Sequence, residues 1–298
     1  MDVFGEAPLS GNPLAVVLDA DSLDDETMLA FAREAGLSET TFVQSPAAPV
    51  APADPADSGH PAGSVAADYR NRIWTISGEI PFAGHPSLGT AVAVAIERDS
   101  DEGTFTQETG VGLQPVDVKR LGDRSGNGVW KASVLQERAE FGEVIPTAEV
   151  AAVLGIEEEM IDSRYSAQLV STGLPALLIP VRDVEGLAAC RGDAAALDEL
   201  GLGIDLNVYP FVFDVPTRTA RSRCFALDLG DFEDPATGSA AGPLVAYLQD
   251  ILDVDRIRVR QGIEMGRPSL IEARMDSGRP RVSGQVHVVV KGQVRLPS

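Results

Sequence analysis

EDPATGSAAGPLVAYLQDIL, residues 233–252, opens with two carboxylates and a proline, turns through Thr-Gly-Ser, and continues as a helix of small and apolar residues. The same order stands earlier in the chain. GEIPFAGHPS, residues 78–87, is a turn-rich connection that leads directly into the apolar helix LGTAVAVAIER, residues 88–98. Each copy follows a strand-like segment, NRIWTI at 71–76 and RCFALDLG at 223–230. As sequence the repeat is weak, but it is specific in kind, because both copies place a glycine turn immediately before a helix rich in small residues. Two similar halves of mixed strands and helices predict an α+β fold of two domains with a cleft between them.

The remaining segments fit that frame. DVFGEAPLSGNPLAVVLDA reads as a short strand, a Gly-Asn-Pro turn and a second strand, LAVVLD. DSLDDETMLAFAREAG reads as a helix that Asp24 or Asp25 caps and Gly36 ends, and LSETTFVQSP enters another strand. Residues 45–66 are Ala, Pro, Asp and Gly with almost nothing to bury, a surface excursion that contains His60. IPTAEVAAVLG is a helix with Thr147 as a candidate cap, AQLVSTGLPALLIPV is strand, turn, strand, and VEGLAACRGDAAALDELG is a helix broken at its Gly-Asp pair. VYPFVFDV reads as a strand, and the end of the chain, through RVSGQVHVVVKGQVRL, is strand-rich.

Composition excludes several classes. The 298 residues can bury a core without covalent staples, and the two cysteines, Cys190 and Cys224, are neither a disulfide scaffold nor a clustered thiolate site. His60, His85 and His287 lie in unrelated stretches with no H-E-x-x-H arrangement, so no metal is expected. A net charge of −21 opposes nucleic-acid binding. There is no basic flank followed by an apolar segment and no run of about 18 uncharged apolar residues, so a cytoplasmic protein with no membrane partner is expected. G-x-G-x-x-G after a strand, a phosphate loop and a G-x-S-x-G elbow are all missing, and no cofactor is expected.

The chemistry falls on the turns. A turn that opens a helix exposes amide N–H groups with no intrahelical partner, and two such turns facing each other can grip a carboxylate; ordinary capping by Thr237 or Ser239 is the plainer alternative. His85 sits between Gly84 and Pro86 at a helix mouth, with Glu79 nearby in sequence, where an imidazole can donate to a substrate or move a proton. Asp234 follows Glu233 and precedes a proline that fixes its backbone. Glu39, between hydroxyl residues at a strand start, is a usable acid/base if the cleft raises its affinity for protons, and a surface glutamate otherwise.

DVFGEAPLSGNPLAVVLDA, LSETTFV, GEIPFAGHPSLGTA, STGLPALLIPV, EDPATGSAAGPL and QGIEMGRPSLI, in this order and across nearly the whole chain, resemble the phenazine-biosynthesis PhzF family, which shares the diaminopimelate epimerase fold. The resemblance implies two pseudo-symmetric domains, each a curved sheet or small barrel around a central helix. Its boundaries would be 1–115 with 284–298 returning to it, and 116–283, with the active site between. It also implies Glu39, His85 and Asp234 as catalytic residues, with Gly84, Gly238 and Ser239 binding substrate. The epimerase relatives use a cysteine in each helix-mouth turn; here those turns read AGHPS and ATGSA, and Cys190 and Cys224 read as core thiols. Two departures concern the cleft rim: the excursion at 45–66 is longer than the pattern, and WTISGEIPF stands where Thr-Pro often precedes the G-E-I-P-F-A-G-H-P stretch. The expectation is a cofactor-independent isomerase that moves a proton on a small cyclic or conjugated carboxylic acid, with Glu39 as acid/base. A lyase or dehydratase on a related acid, or a non-catalytic small-molecule-binding or interaction protein, stands as the alternative. Pairing as a homodimer fits the general frequency of symmetric assembly.

Overall fold

The computed structural model describes residues 1–47, 66–122, 128–202, 206–226 and 232–295; His60 and most of the 45–66 excursion lie outside them. The chain begins with β1 (Asp2–Val3), β2 (Asn12–Pro13), β3 (Ala15–Val17) and α1 (Asp25–Ala35). β4 (Thr40–Gln44), β5 (Tyr69–Trp74) and β6 (Glu79–Ile80) then lead into α2 (Gly84–Glu97). β7 (Glu102–Thr109), β8 (Gly112–Leu121) and β9 (Val129–Leu135) close the first half of the sequence. The second half contains β10 (Glu140–Ile145), α3 (Thr147–Leu154), β11 (Ala167–Ser171), β12 (Pro175–Pro180), α4 (Val184–Ala189) and α5 (Ala194–Glu199). β13 (Asn207–Asp214), β14 (Thr219–Ser222), β15 (Phe225–Ala226) and β16 (Phe232–Glu233) precede α6 (Gly238–Leu252), and β17 (Arg256–Gln261), β18 (Ser269–Asp276) and β19 (Arg279–His287) follow it.

α2 and α6 are the hubs. In α2 every residue from His85 to Ala95 is buried, and in α6 every residue from Ala240 to Leu248. A helix apolar on all sides cannot lie on a surface, so strands must wrap it. α2 packs against β7, β8 and β9, and α6 against β18, β19, β11 and β12. One core cluster runs through both, from Leu88, Val92, Val116 and Trp130 to Leu244, Tyr247, Leu178 and Phe211. β19 joins the halves: it pairs antiparallel with β1, β9 and β18.

A second core lies outside α6. β12 alternates between the two, sending Ala176 and Leu178 to the α6 side and Leu177 and Ile179 toward α3 and α5. That double burial is why PALLIP is a continuous apolar run.

Helix boundaries follow local chemistry. Asp24 Oδ1 accepts from Thr27 N at 2.9 Å, and Gly36 closes α1 at φ 62°. The Gly-Asp break after Cys190 is real, since Asp193 caps α5 through the amides of Ala195 and Ala196. Thr147 is not a cap: Pro146 holds that position, its fixed φ of −57° starts the turn, and Thr147 is the first helical residue. The last strand is also shorter than expected. It ends at His287, and Val290 and Val294 stand 79% and 54% exposed, so the β-branched tail finds no partner strand among the described residues.

Candidate active site

Three turns from distant parts of the chain meet at the starts of α2 and α6. Gly11 makes the first possible: its φ of 78° is left-handed, and a Cβ there would stand 2.4 Å from the Val3 carbonyl oxygen and 2.5 Å from the Gly5 nitrogen. The tight turn sets Asn12, fully buried on β2, against both helix mouths. The second turn carries His85, the second residue of α2; Pro86 follows within the first helical turn, where a missing N–H removes no helical bond. The third carries Asp234, just beyond β16, with its amide bonded to the Cys224 carbonyl at 3.0 Å.

The helix starts abut. A Cβ built on Gly84 would lie 3.3 Å from Ser239 N and 3.7 Å from the Gly238 carbonyl carbon, so glycine lets the two mouths approach. Neither N-cap residue, Ala83 or Thr237, caps with its side chain. Ordinary capping, the plainer reading of Thr237, is therefore corrected. Its hydroxyl instead donates to Asp234 Oδ2 and accepts from Gln261 Nε2 at 2.9 Å, so the oxygen is turned away from the first-turn amides.

Around these turns the polar side chains form one connected set. Asn12 Nδ2 donates to Asp234 Oδ1 at 2.7 Å and to the Ala236 carbonyl at 3.1 Å, and lies 3.1 Å from His85 Nδ1. On the other edge of the ring, His85 Nε2 is 3.5 Å from Glu39 Oε2. Gln261 Nε2 donates to the Asp234 carbonyl at 2.7 Å and to Thr237 Oγ1 at 2.9 Å, while its Oε1 accepts from Thr237 N at 3.2 Å and from Tyr209 OH at 2.9 Å. Gln136 Nε2 donates to the Gly238 carbonyl at 2.9 Å and Gln136 Oε1 accepts from Thr172 Oγ1 at 2.7 Å, tying the α6 start to the turn that follows β11.

Burial dominates the electrostatics. It pushes the His85 imidazole down to about 4, against the pull of the neighbouring Asp234 charge, so near neutrality the ring is uncharged. Burial also raises Asp234, with Glu39 adding to the effect and His85, Thr237 and Asn12 opposing it. With Glu39 at Nε2 and the Asn12 amide at Nδ1, a neutral imidazole is a hydrogen-bonding group rather than a standing cation.

Glu39, His85, Asp234, Gly84, Gly238 and Ser239 are thus gathered in one place. Glu79 and Glu233, the other acids of the two motifs, are elsewhere: Glu79 pairs with Arg72, with Arg72 Nε 2.8 Å from Oε1, and Glu233 pairs with Arg223 at 2.7 Å. Both cysteines are buried, and burial pushes the Cys190 thiol up to about 12; Cys224 stands behind the third turn, where its carbonyl holds the Asp234 amide and its Sγ lies 3.5 Å from Asn207 Oδ1. Asn12, Gln136 and Gln261 were not legible as site residues. Asn12 reads as a turn residue, and the glutamines stand in strand-like runs with no motif around them. Among the described residues no group of three or more His, Cys, Asp or Glu side chains is arranged to hold a metal ion, and no helix is long and apolar enough to cross a membrane.

Two domains built around paired central helices, with acid and imidazole groups at the helix mouths, define a diaminopimelate epimerase-like enzyme of the isomerase type. The chain belongs to the phenazine biosynthesis-like protein family, PhzC-PhzF, whose model matches residues 1–294. It is 35% identical to the trans-2,3-dihydro-3-hydroxyanthranilate isomerase of Pseudomonas aeruginosa, over 95% of this chain and 91% of that one. Among solved structures, a predicted epimerase from Pseudomonas aeruginosa superposes with a TM-score of 0.74 at 32% identity, over 97% of this chain and 98% of the other. A PhzF-family phenazine biosynthesis protein from Bacillus anthracis shares the fold at TM-score 0.75 and 24% identity, over 97% of each chain.

Proposed function

We propose that this protein isomerises a small cyclic or conjugated carboxylic acid, without a cofactor, by moving a proton between carbon atoms. The observation that carries the reading is the meeting of Glu39, His85 and Asp234 beside two abutting helix starts whose N-cap side chains leave the first-turn amides uncapped. The amides at Gly84, Gly238 and Ser239 bind the substrate carboxylate, where the positive ends of both helices favour negative charge. Glu39 takes the proton from carbon and returns it at another position, while His85 and Asp234 orient the substrate's hydroxyl or amino group. As the proton leaves, charge spreads into the carboxylate or π system, and donors placed there lower the barrier.

The named substrate of the 35% identical relative, a dihydro-hydroxyanthranilate, belongs to this chemical class and heads the panel to test. The division of the chain goes with the proposal, as residues 1–115 with 284–298 and residues 116–283; the pairing of β19 with β1 supports the return of the chain end, whereas the packing of β8 and β9 on α2 carries the first domain past residue 115 to the end of β9. Wild-type protein and Glu39→Gln are incubated in heavy water with small amino and hydroxy cyclic acids, and deuterium uptake and product mass are followed together. Deuterium incorporation at unchanged heavy-atom composition, reduced about 10²- to 10⁴-fold in the variant, is expected for a general base at this position. Equal exchange by Glu39→Gln removes Glu39 as the base, and a product lighter by one water moves the reaction to the lyase class.

A further inference from the structure

Asn12 is fully buried, and its amide nitrogen donates to two acceptors, Asp234 Oδ1 at 2.7 Å and the Ala236 carbonyl at 3.1 Å, and lies 3.1 Å from His85 Nδ1. Its own Oδ1 is buried with no hydrogen-bond partner. An apolar residue would avoid that cost, so the value of the side chain lies on its nitrogen side.

The carboxylate and the carbonyl settle which way round the amide stands. Turned over, its oxygen would face two other oxygens in a buried space. With the nitrogen toward His85, a proton on Nδ1 would point at a group that is itself a donor, whereas a lone pair on Nδ1 is attracted to it. The far side of the ring argues the same way. Nε2 is buried and faces Glu39 Oε2 at 3.5 Å, and a bare Nε2 would set a lone pair against a carboxylate oxygen. The Pro13 carbonyl also lies beside the imidazole and can accept a proton from it.

We propose that Asn12 is a positioning residue that ties His85 to Asp234 and holds the imidazole with its proton on Nε2, so that His85 meets the substrate side as a hydrogen-bond donor and leaves the base role to Glu39. The inference deepens the isomerase reading, yet its first test needs no substrate and stands or falls apart from that reaction.

The tautomer is read from long-range proton–nitrogen spectra of the histidine rings in uniformly ¹⁵N-labelled protein at neutral pH. The chain has three histidines, and His85 is assigned by the signal lost in His85→Gln. The expected wild-type spectrum has an unprotonated Nδ1 and a protonated Nε2. A protonated Nδ1 overturns the proposal, because the ring then presents a proton to the Asn12 amide nitrogen rather than accepting from it. In Asn12→Ala the expected result is a shift of the proton toward Nδ1 or exchange between both forms, and an unchanged Nε2–H spectrum overturns the role of the amide. With the substrate from the deuterium assay, Asn12→Ala is expected to lower kcat about 10- to 100-fold with KM changed by less than about threefold, the split expected when a bound substrate meets a misaligned group. An unchanged kcat also overturns the positioning role. If Asn12→Ala does not fold, the wild-type spectrum still decides the tautomer.

Discussion

At the scale of single residues, the site's cost to stability follows from His85. Burial holds its folded-state affinity for protons near 4, below the ordinary 6.5, so as pH falls through 6.5 the unfolded chain binds a proton that the native site refuses. Stability from this group is therefore fully present above 6.5 and is lost progressively down to about 4. Asp234, raised above 3.8, has the opposite sign: its native form binds the proton more readily, which stabilises the fold as pH falls. His85→Gln keeps Asp234 and removes the imidazole. We expect the loss of unfolding free energy between pH 7 and pH 5, measured by urea denaturation, to be smaller in His85→Gln than in wild type by about 2 kcal/mol. Equal losses would place the imidazole in a more open setting than its burial of 95% describes. This scale also divides what the sequence makes legible. Glu39, His85 and Asp234 each stand in a turn with a recognisable signature. Asn12 gains its role from contacts 73 and 222 residues away, which no local pattern encodes.

At the scale of elements, the two central helices were readable because their apolar runs have no polar face, while their supports were not. α6 shows why. Gly242 looks like an unneeded helix-breaker, and Gly→Ala in a helix ordinarily stabilises by about 1 kcal/mol. Here a Cβ would stand 1.7 Å from Gln136 Oε1, the atom that accepts from Thr172, on the side chain that holds the Gly238 carbonyl. Gly242→Ala must expel that buried amide and leave Thr172 or Gly238 without a partner, at about 1–3 kcal/mol for each group. The expected sign is reversed: destabilisation by about 1–3 kcal/mol in thermal or urea unfolding. A double-mutant cycle identifies the cause, since in a Gln136→Ala background Gly242→Ala should be neutral or stabilising. Phe4 is supported in the same way. Its ring fills the space that Gly238 on α6 and Gly284 on β19 leave open, where added Cβ atoms would stand 2.9 and 2.3 Å from it. Such glycines look interchangeable in sequence because the ring they accommodate is more than 200 residues away. The parallel pairings of β5 with β7 and β14 with β17 were hidden for a related reason, since register across a crossover depends on the packed helix and not on the strands' own residues.

At the scale of the whole molecule, two-domain α+β architecture was legible from a weak internal repeat, but the repeat is silent on how charge is spread over the surface that results. Asp and Glu number 45 against 24 Lys and Arg, leaving −21 on a chain of 298 residues. Many of the cations are already engaged: Arg72 with Asp25 at 2.8 Å, Arg98 with Asp68 at 2.9 Å, Arg120 with Asp101 at 2.7 Å, and Arg281 with both Asp117 and Asp276 at 2.7 and 2.9 Å. The uncompensated charge is therefore mainly carboxylate held at the surface, where self-repulsion favours the expanded chain. Salt acts on the two terms in opposite directions, weakening the exposed pairs, worth about 0–1 kcal/mol each, and screening the long-range repulsion among the remaining acids. The Debye length falls from about 30 Å at 0.01 M to about 8 Å at 0.15 M, so repulsion across the molecule is screened within that interval, whereas salting-out effects grow steadily at higher concentration. If repulsion dominates, Tm rises when KCl is raised from 0.01 to 0.15 M, by about 2–4 °C for each kcal/mol recovered, and then climbs more slowly. A flat or falling Tm across that first interval would mean that the surface pairs contribute more than the excess acid costs, and that the fold tolerates its charge through local pairing.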